Sequence, residues 1–317
     1  VSVSTTLDAV NKATFLNSKN DEGTTALGYA IEQNNIEMVQ ALLSYSPSLE
    51  IDSKNGWTPL FQSIITNNQT IFNLLIDKGA DVNKSSPWSA QAEATDIDGV
   101  RLFEATDEEI KWFSDNVEEK TKALTAKVTP AHAAAALGRL EMLQKLHEKG
   151  VNLLERKQLE GTWSKIPGWN TLDIATLENQ VKIVKFLLAK GAQPNEPFGT
   201  SKKLPLFYAA QFGKKALYDT LIAGGADILQ ISDGLNILQK AASNGELEMV
   251  KDILQKLAAN TTLDYAGKLA FVNATGGDGK KTAWTLADDK HYLDICTEIN
   301  EWLKSRKAER DQAKVQD

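Results

Sequence analysis

Seven short stretches of the chain share one order of small, apolar and polar positions: TALGYA at 25–30, TPLFQS at 58–63, TPAHAA at 129–134, NTLDIA at 170–175, LPLFYA at 204–209, NILQKA at 236–241 and TAWTLA at 282–287. Threonine before proline opens a helix, because its side chain caps free amides and proline is pre-set for the first helical position. A second helical stretch follows, and in the case of Phe186-Leu187-Leu188-Ala189-Lys190 it is stopped by Gly191, where a left-handed residue costs glycine little. Alanines at 133–136 and 209–210 let the short first helices pack closely. Neither helix of a unit hides its apolar face alone, so neighbouring units must stack into a continuous core.

A second landmark runs in register with the first. Leu60 to Gly79, Ala131 to Gly150, Leu172 to Gly191 and Leu206 to Gly225 are each nineteen residues, and Ser46 stands at the same offset from Leu27. The stretches resemble the ankyrin signature T-P-L-H-x-A, with Thr129-Pro130-Ala131-His132-Ala133-Ala134 keeping the histidine. Gly79-Ala80-Asp81-Val82-Asn83 and Gly225-Ala226-Asp227-Ile228 resemble the closing G-A-D-V-N of that family. The resemblance covers most of residues 5–303 and implies an all-α solenoid of stacked helix-turn-helix units with β-hairpin or loop fingers, about seven repeats plus an N-terminal cap helix. It also implies a curved stack that binds proteins on its concave side, and for His132 a structural role tying neighbouring loops.

On this reading residues 1–317 form a single array, with a cap helix at 5–20 and repeats near 21–53, 54–83, 127–153, 168–200, 202–231, 233–260 and 279–303. The anchors at 27, 60, 131, 172, 206, 238 and 284 are separated by 33, 71, 41, 34, 32 and 46 residues, so three gaps exceed the family period and carry insertions. Repeat six places Leu257 where the closing glycine belongs, and repeats four to six replace the first threonine with asparagine or leucine. Such degenerate units mark a natural, specialised protein.

Insertion 84–126 is acidic, and Thr106-x-x-Glu109 ahead of Ile110, Trp112, Phe113 and Val117 is a capping box that predicts a helix near 106–124. Its aromatics either fold back on the stack or face a partner. The stretch 154–168 lengthens the finger between repeats three and four and brings in Trp163 and, just after it, Trp169, which are either a binding anchor or local packing. Ala274-Thr275-Gly276-Gly277-Asp278-Gly279-Lys280-Lys281-Thr282 departs from the phosphate-binding pattern at Ala274 and Lys281, and reads as a flexible turn. The segment Tyr292–Trp302 reads as the last second helix, and 304–317 as a charged, solvated helical tail.

Composition narrows the function. Apolar residues make up 42% and charged residues 24%, within the range of folded chains. Thirty-five basic against forty-two acidic residues give a net charge of -7, which repels a phosphate backbone and argues against nucleic acid. No apolar run is long enough to span a membrane, and no lipidation signature is present. The single cysteine, Cys296, excludes an internal disulfide framework, and the three histidines, at 132, 147 and 291, have no metal-ligand spacing. No nucleophile elbow or Cys/His arrangement is present, so the reading is no catalytic residue, no metal and no cofactor. Val1 leaves the compartment open: cytoplasmic, or periplasmic or secreted where it follows a removed signal peptide.

The expected function is a protein-protein interaction scaffold or adaptor, monomeric, gripping another protein through the concave face and fingers. The alternatives are an inhibitor or immunity-type protein that occludes a partner enzyme or toxin, and an enzyme or small-ligand binder using 84–126. Register places Tyr29, Gln33, Trp57, Ile65, Leu137, Trp169, Tyr208, Phe212 and Lys240 on the binding face, with Trp163 on its lengthened finger. Tyr208 and Phe212, four apart, are expected to form one anchor.

Overall fold

The computed structural model describes residues 9–89, 125–156, 160–161, 170–198, 203–277 and 279–316. The predicted helix near 106–124, and with it Trp112 and Phe113, lies outside the described residues. The chain divides into two compact units, Val1–Ile183 and Val184–Asp317.

The first unit opens with α1 (Ala9–Asn17) and continues as pairs of helices: α2 (Ala26–Glu32) with α3 (Ile36–Ser44), α4 (Pro59–Ile65) with α5 (Gln69–Asp77), and α6 (Pro130–Ala136) with α7 (Leu140–Glu148). It ends with α8 (Thr171–Leu177) and the start of α9 (Val181–Ala189), the helix in which the division between the units falls. The first helices pack in sequence, α2 on α4, α4 on α6 and α6 on α8, and α3, α5 and α7 form a second row. In the second unit α10 (Pro205–Gln211) pairs with α11 (Lys215–Ala223), α12 (Ile237–Ser243) with α13 (Leu247–Ala259), and α15 (Ala283–Asp288) with α16 (Leu293–Gln316). There α10 packs on α12 and α12 on α15.

The first helices are six or seven residues long, too short to be stable alone, and their starts are written locally. Thr25, Thr58, Thr129, Asn170, Asn236 and Thr282 each accept a hydrogen bond from a first-turn amide through the side chain. Leu204 makes no such bond, and Pro205 supplies the start of α10 instead. Six of the seven anchors, Leu27, Leu60, Ala131, Leu172, Leu206 and Leu238, are buried, so their short helices are held by stacking, while Trp284 is half-buried.

The turn from first to second helix carries a register beyond the glycines at nineteen. Seven residues after each anchor the backbone is left-handed, at Asn34, Asn67, Gly138, Asn179, Gly213, Gly245 and His291. Asparagine and glycine are the residues that accept this conformation most readily, and His291 at φ 63 is the exception. The next residue of the following repeat leans back over that turn. Asn68 Nδ2 donates to Asn34 Oδ1, and Gln180 Nε2 donates to Ala136 O at 2.9 Å across Gly138. In the second unit Glu246 lies against Gly213 and Tyr292 against Gly245. Three of these turns use glycine where the neighbour leaves no room for a Cβ.

The register at nineteen carries left-handed residues at Ser46, Gly79, Gly150, Gly191 and Gly225. Leu257 has no such role because α13 runs on to Ala259, and a further helix, α14 (Tyr265–Val272), occupies much of the excess before the last pair. The final helix also runs on: α16 is one helix of 24 residues through Trp302 and the charged stretch to Gln316. Trp302 anchors it, with Nε1 donating to Leu254 O at 3.0 Å.

Two of the excesses meet in one sheet. β1 (Ser86–Ser89) pairs antiparallel with β2 (Thr125–Val128), in register from Ser86↔Val128 to Ser89↔Thr125, and β2 pairs with β3 (Glu160–Gly161). The departure and return of insertion 84–126, and the lengthened finger of 154–168, thus share a three-stranded base. In the second unit β4 (Ile231–Ser232) and β5 (Leu235–Asn236) form a hairpin whose turn residues Asp233 and Gly234 both have positive φ, as a two-residue primed turn requires.

The glycine-rich stretch expected as a flexible turn is instead packed on that hairpin. Gly277 N donates to Gly234 O at 3.3 Å, Gly276 bridges to Lys281, and a Cβ on Gly276 would collide with Gly234 O. Glycine serves there for close approach of two backbones.

Candidate functional site

The face carried by the first helices and their fingers is where sequence register placed the binding residues. In the first unit Tyr29, on α2, is 48% exposed, a large value for an aromatic ring on a packed helix. Gln33 is exposed, and Ile65 at the end of α4 and Leu137 at the end of α6 are half-buried. These helices are consecutive neighbours in the stack, so the four residues belong to one row.

Trp57 has a structural task. Its Nε1 donates to Pro87 O at 2.9 Å, and its ring lies 6.2 Å from Phe61. Next to it, Thr58 N donates to the buried Ser86 Oγ at 3.2 Å, and a Cβ on Gly56 would lie 2.6 Å from Pro87 Cγ. Trp57 therefore clamps β1, the start of insertion 84–126, onto α4, and keeps part of its ring exposed. Trp163 and Trp169 lie outside the described residues.

The finger that precedes α8 is fixed by charge. Arg156 Nη1 donates to Asp173 Oδ2 at 2.9 Å, and Asp173 also closes the capping box with Asn170. The Asp173 side chain is only 2% exposed, so this ion pair is desolvated on one side. His132 is buried, with Nδ1 3.0 Å from Thr129 Oγ1, inside the cap of its own helix.

In the second unit the expected anchor resolves into two different residues. Tyr208 is 5% exposed, with Phe198 edge-on at 6.1 Å and Phe212 at 4.9 Å. It is a core residue and not a contact surface, because the loop bearing Phe198 folds over the ring. Phe212, at the end of α10, stays half-exposed on top of it. Lys240 on α12 is half-buried, and no carboxylate of the described residues comes within ion-pair distance. Burial holds its ammonium below the ordinary lysine range; Asp233 opposes that shift and Lys290 adds to it.

Lys290, at the turn after α15, stands six residues after its anchor, as Phe212 and Leu137 do. On the second-helix row, Asp252 lies 2.8 Å from Lys256 and 3.5 Å from Lys215, beside the buried Tyr218. Burial pushes the Asp252 carboxyl up, but the two lysines outweigh it and hold it below the ordinary range. Burial pushes the Tyr218 hydroxyl upward. Lys215 also pairs with Asp219 at 2.5 Å, so two lysines face two carboxylates and the cluster is best read as a clamp between α11 and α13. Among the described residues no helix is long and apolar enough to cross a membrane.

A family model of ankyrin repeats in three copies matches residues 5–86 and 102–197. An ankyrin repeat protein of Rickettsia bellii is 26% identical over 260 residues, 76% of this chain and 38% of that protein. Another, from Borreliella burgdorferi, is 29% identical over 106 residues, 32% of this chain and 47% of that protein. The ankyrin repeat and KH domain-containing protein mask-1 of Caenorhabditis elegans is 24% identical over 249 residues, 77% of this chain and 9% of that protein. The chain thus spans less than half the length of each of these relatives. Ankyrin repeats generally mediate protein-protein interaction and are generally not enzymatic, although a mitochondrial disaggregase of Bos taurus and the palmitoyltransferase AKR1 of Lachancea kluyveri also match in part. The repeated anchors, the two left-handed registers and the matched model together place the chain in the ankyrin-repeat family.

Proposed function

We propose that this chain is a non-catalytic binding module that holds a partner protein on the face formed by its first helices and adjoining fingers. The observation that carries the reading is the row of Tyr29, Ile65 and Leu137 on the consecutively packed helices α2, α4 and α6. Apolar side chains left partly in water cost free energy that a well-packed stack has no need to bear, and aligned apolar positions rimmed by polar ones are the usual make-up of an interface core. Gln33 and Glu32 supply such a rim beside Tyr29, both lying outside the core. Phe212 offers a similar half-exposed ring in the second unit.

The test is quantitative capture from lysate of the source organism on immobilised wild-type chain, beside a variant carrying Tyr29→Ser, Ile65→Ser and Leu137→Ser. Both are first matched by circular dichroism and melting temperature. A protein enriched by the wild type and lost by the variant is the expected result. Equal recovery on both would reject the first-helix face as the site.

A further inference from the structure

Within the second unit, taken by itself, the face of the first helices presents Phe212 at the end of α10, Lys240 on α12 and Lys290 beyond α15, and these helices pack in that order. Neither lysine has an ion-pair partner among the described residues, whereas other lysines of this unit do: Lys281 with Asp289 at 2.6 Å, Lys215 with Asp219 at 2.5 Å and Lys256 with Asp252 at 2.8 Å. The chain as a whole is acidic, with net charge -7, so two unpaired cations meeting on one face run against its composition.

We propose that this face, Phe212 with Lys240 and Lys290, receives an acidic linear segment of the partner protein, its aspartate or glutamate carboxylates bridging the two lysines and an apolar side chain resting on Phe212. The inference builds on the reading of the first-helix face as the binding surface. Lys240 is the informative residue. It is half-buried on a packed helix, where its ammonium has already lost part of its hydration and feels the charge of Lys290, with Asp233 as the opposing group. An ammonium in that position gains more from an incoming carboxylate than a fully solvated one does, because part of the desolvation that usually cancels a salt bridge has been met in folding. A basic or neutral segment would leave that charge uncompensated. Lys290 is exposed and adds long-range attraction, which governs the rate of encounter more than the lifetime of the complex.

The test uses the full chain and three fluorescein-labelled peptides of equal length that differ only in charge: one of alternating glutamate and serine around a central phenylalanine, one with glutamine for glutamate, and one with lysine for glutamate. Fluorescence anisotropy is read for the wild type, for Lys240→Gln, for Lys290→Gln, for the double variant, and for Lys251→Gln on α13 as the control. Expected are preference for the glutamate peptide, about a tenfold loss in the double variant, weakening with salt, and no change in the control. Equal binding of the glutamine peptide, or unchanged affinity in the double variant, would overturn the inference. Capture of the natural partner separates the two claims. A partner held as tightly by the double variant as by wild type overturns the acidic-segment inference and leaves the protein-binding reading standing, while loss on the Tyr29, Ile65 and Leu137 variant speaks to that reading alone.

Discussion

Gln180 lies across Gly138, with its Nε2 donating to Ala136 O at 2.9 Å and its Oε1 placed 2.5 Å from where a Cβ on Gly138 would stand. One repeat thereby covers the left-handed turn of the repeat before it. The same position is filled by Asn68 over Asn34, Glu246 over Gly213 and Tyr292 over Gly245. Coupling between units of a repeat array sits in nearest-neighbour contacts of this kind.

Gly138→Ala is expected to destabilise the fold by roughly 1–3 kcal/mol, since the new side chain meets both a left-handed backbone and Gln180. Urea unfolding of wild type and variant measures it. A second variant, Gly79→Ala, has φ 89 but no atom within 4 Å of its Cβ, and isolates the backbone cost. Equal losses at the two positions would mean that Gln180 exerts no steric effect.

Glu246→Gln is expected to stabilise. Burial raises the Glu246 carboxyl above its ordinary range, only partly opposed by Lys214, so the ionised form is disfavoured in the folded state. That penalty is present at neutral pH and vanishes as pH falls through the carboxylate range. A glutamine there has the geometry of Gln180, and its amide would donate to Gln211 O, the counterpart of Ala136 O, for about 1 kcal/mol. Thermal melts at neutral and acid pH check this: the gain should shrink on acidification, and a variant less stable than wild type at neutral pH would refute the analogy.

Asp252 responds to pH with the opposite sign. Its carboxyl is held below the ordinary range by Lys256 and Lys215 against the upward push of burial. Its stabilisation is therefore complete above the unfolded value, about 3.9, and is lost as pH falls through the folded one. Asp252→Asn should lower the melting temperature at neutral pH, with the difference from wild type narrowing below about pH 4. A difference independent of pH would assign the loss to packing with Tyr218.

Arg156→Ala takes from the buried Asp173 carboxylate its ion pair with the finger. The expected cost is about 2 kcal/mol, the scale of a hydrogen bond to a charged group. Arg156→Lys should recover only part of it, because Lys lacks the planar fork. Denaturant midpoints decide, and full recovery by lysine would show that charge alone matters.

The helix starts were legible because capping is local: Thr25, Thr58, Thr129 and Asn236 sit within two residues of their anchors, and the side chain that closes the cap is the one seen in the sequence. The register at seven was equally open to reading, in Asn34, Asn67, Gly138, Asn179, Gly213 and Gly245, with His291 as the one residue that obscures it. Other features depend on partners brought together only by folding. A spacing of four told that Tyr208 and Phe212 are neighbours, but not that Phe198 covers one of them. The pairing of β1 with β2 joins the two ends of insertion 84–126, and Lys290 acts on Lys240 only through the packing of α15 on α12. Those contacts are long-range, and neither periodicity nor spacing encodes them.

The most direct measurement is hydrogen-deuterium exchange of the full chain, alone and saturated with the captured partner. Binding on the first-helix face is expected to slow exchange in α2, α4 and α6 and in the segments leading into them, with α3, α5 and α7 unchanged. Protection confined to the second-helix row, with α2, α4 and α6 unaffected, would contradict the proposed site.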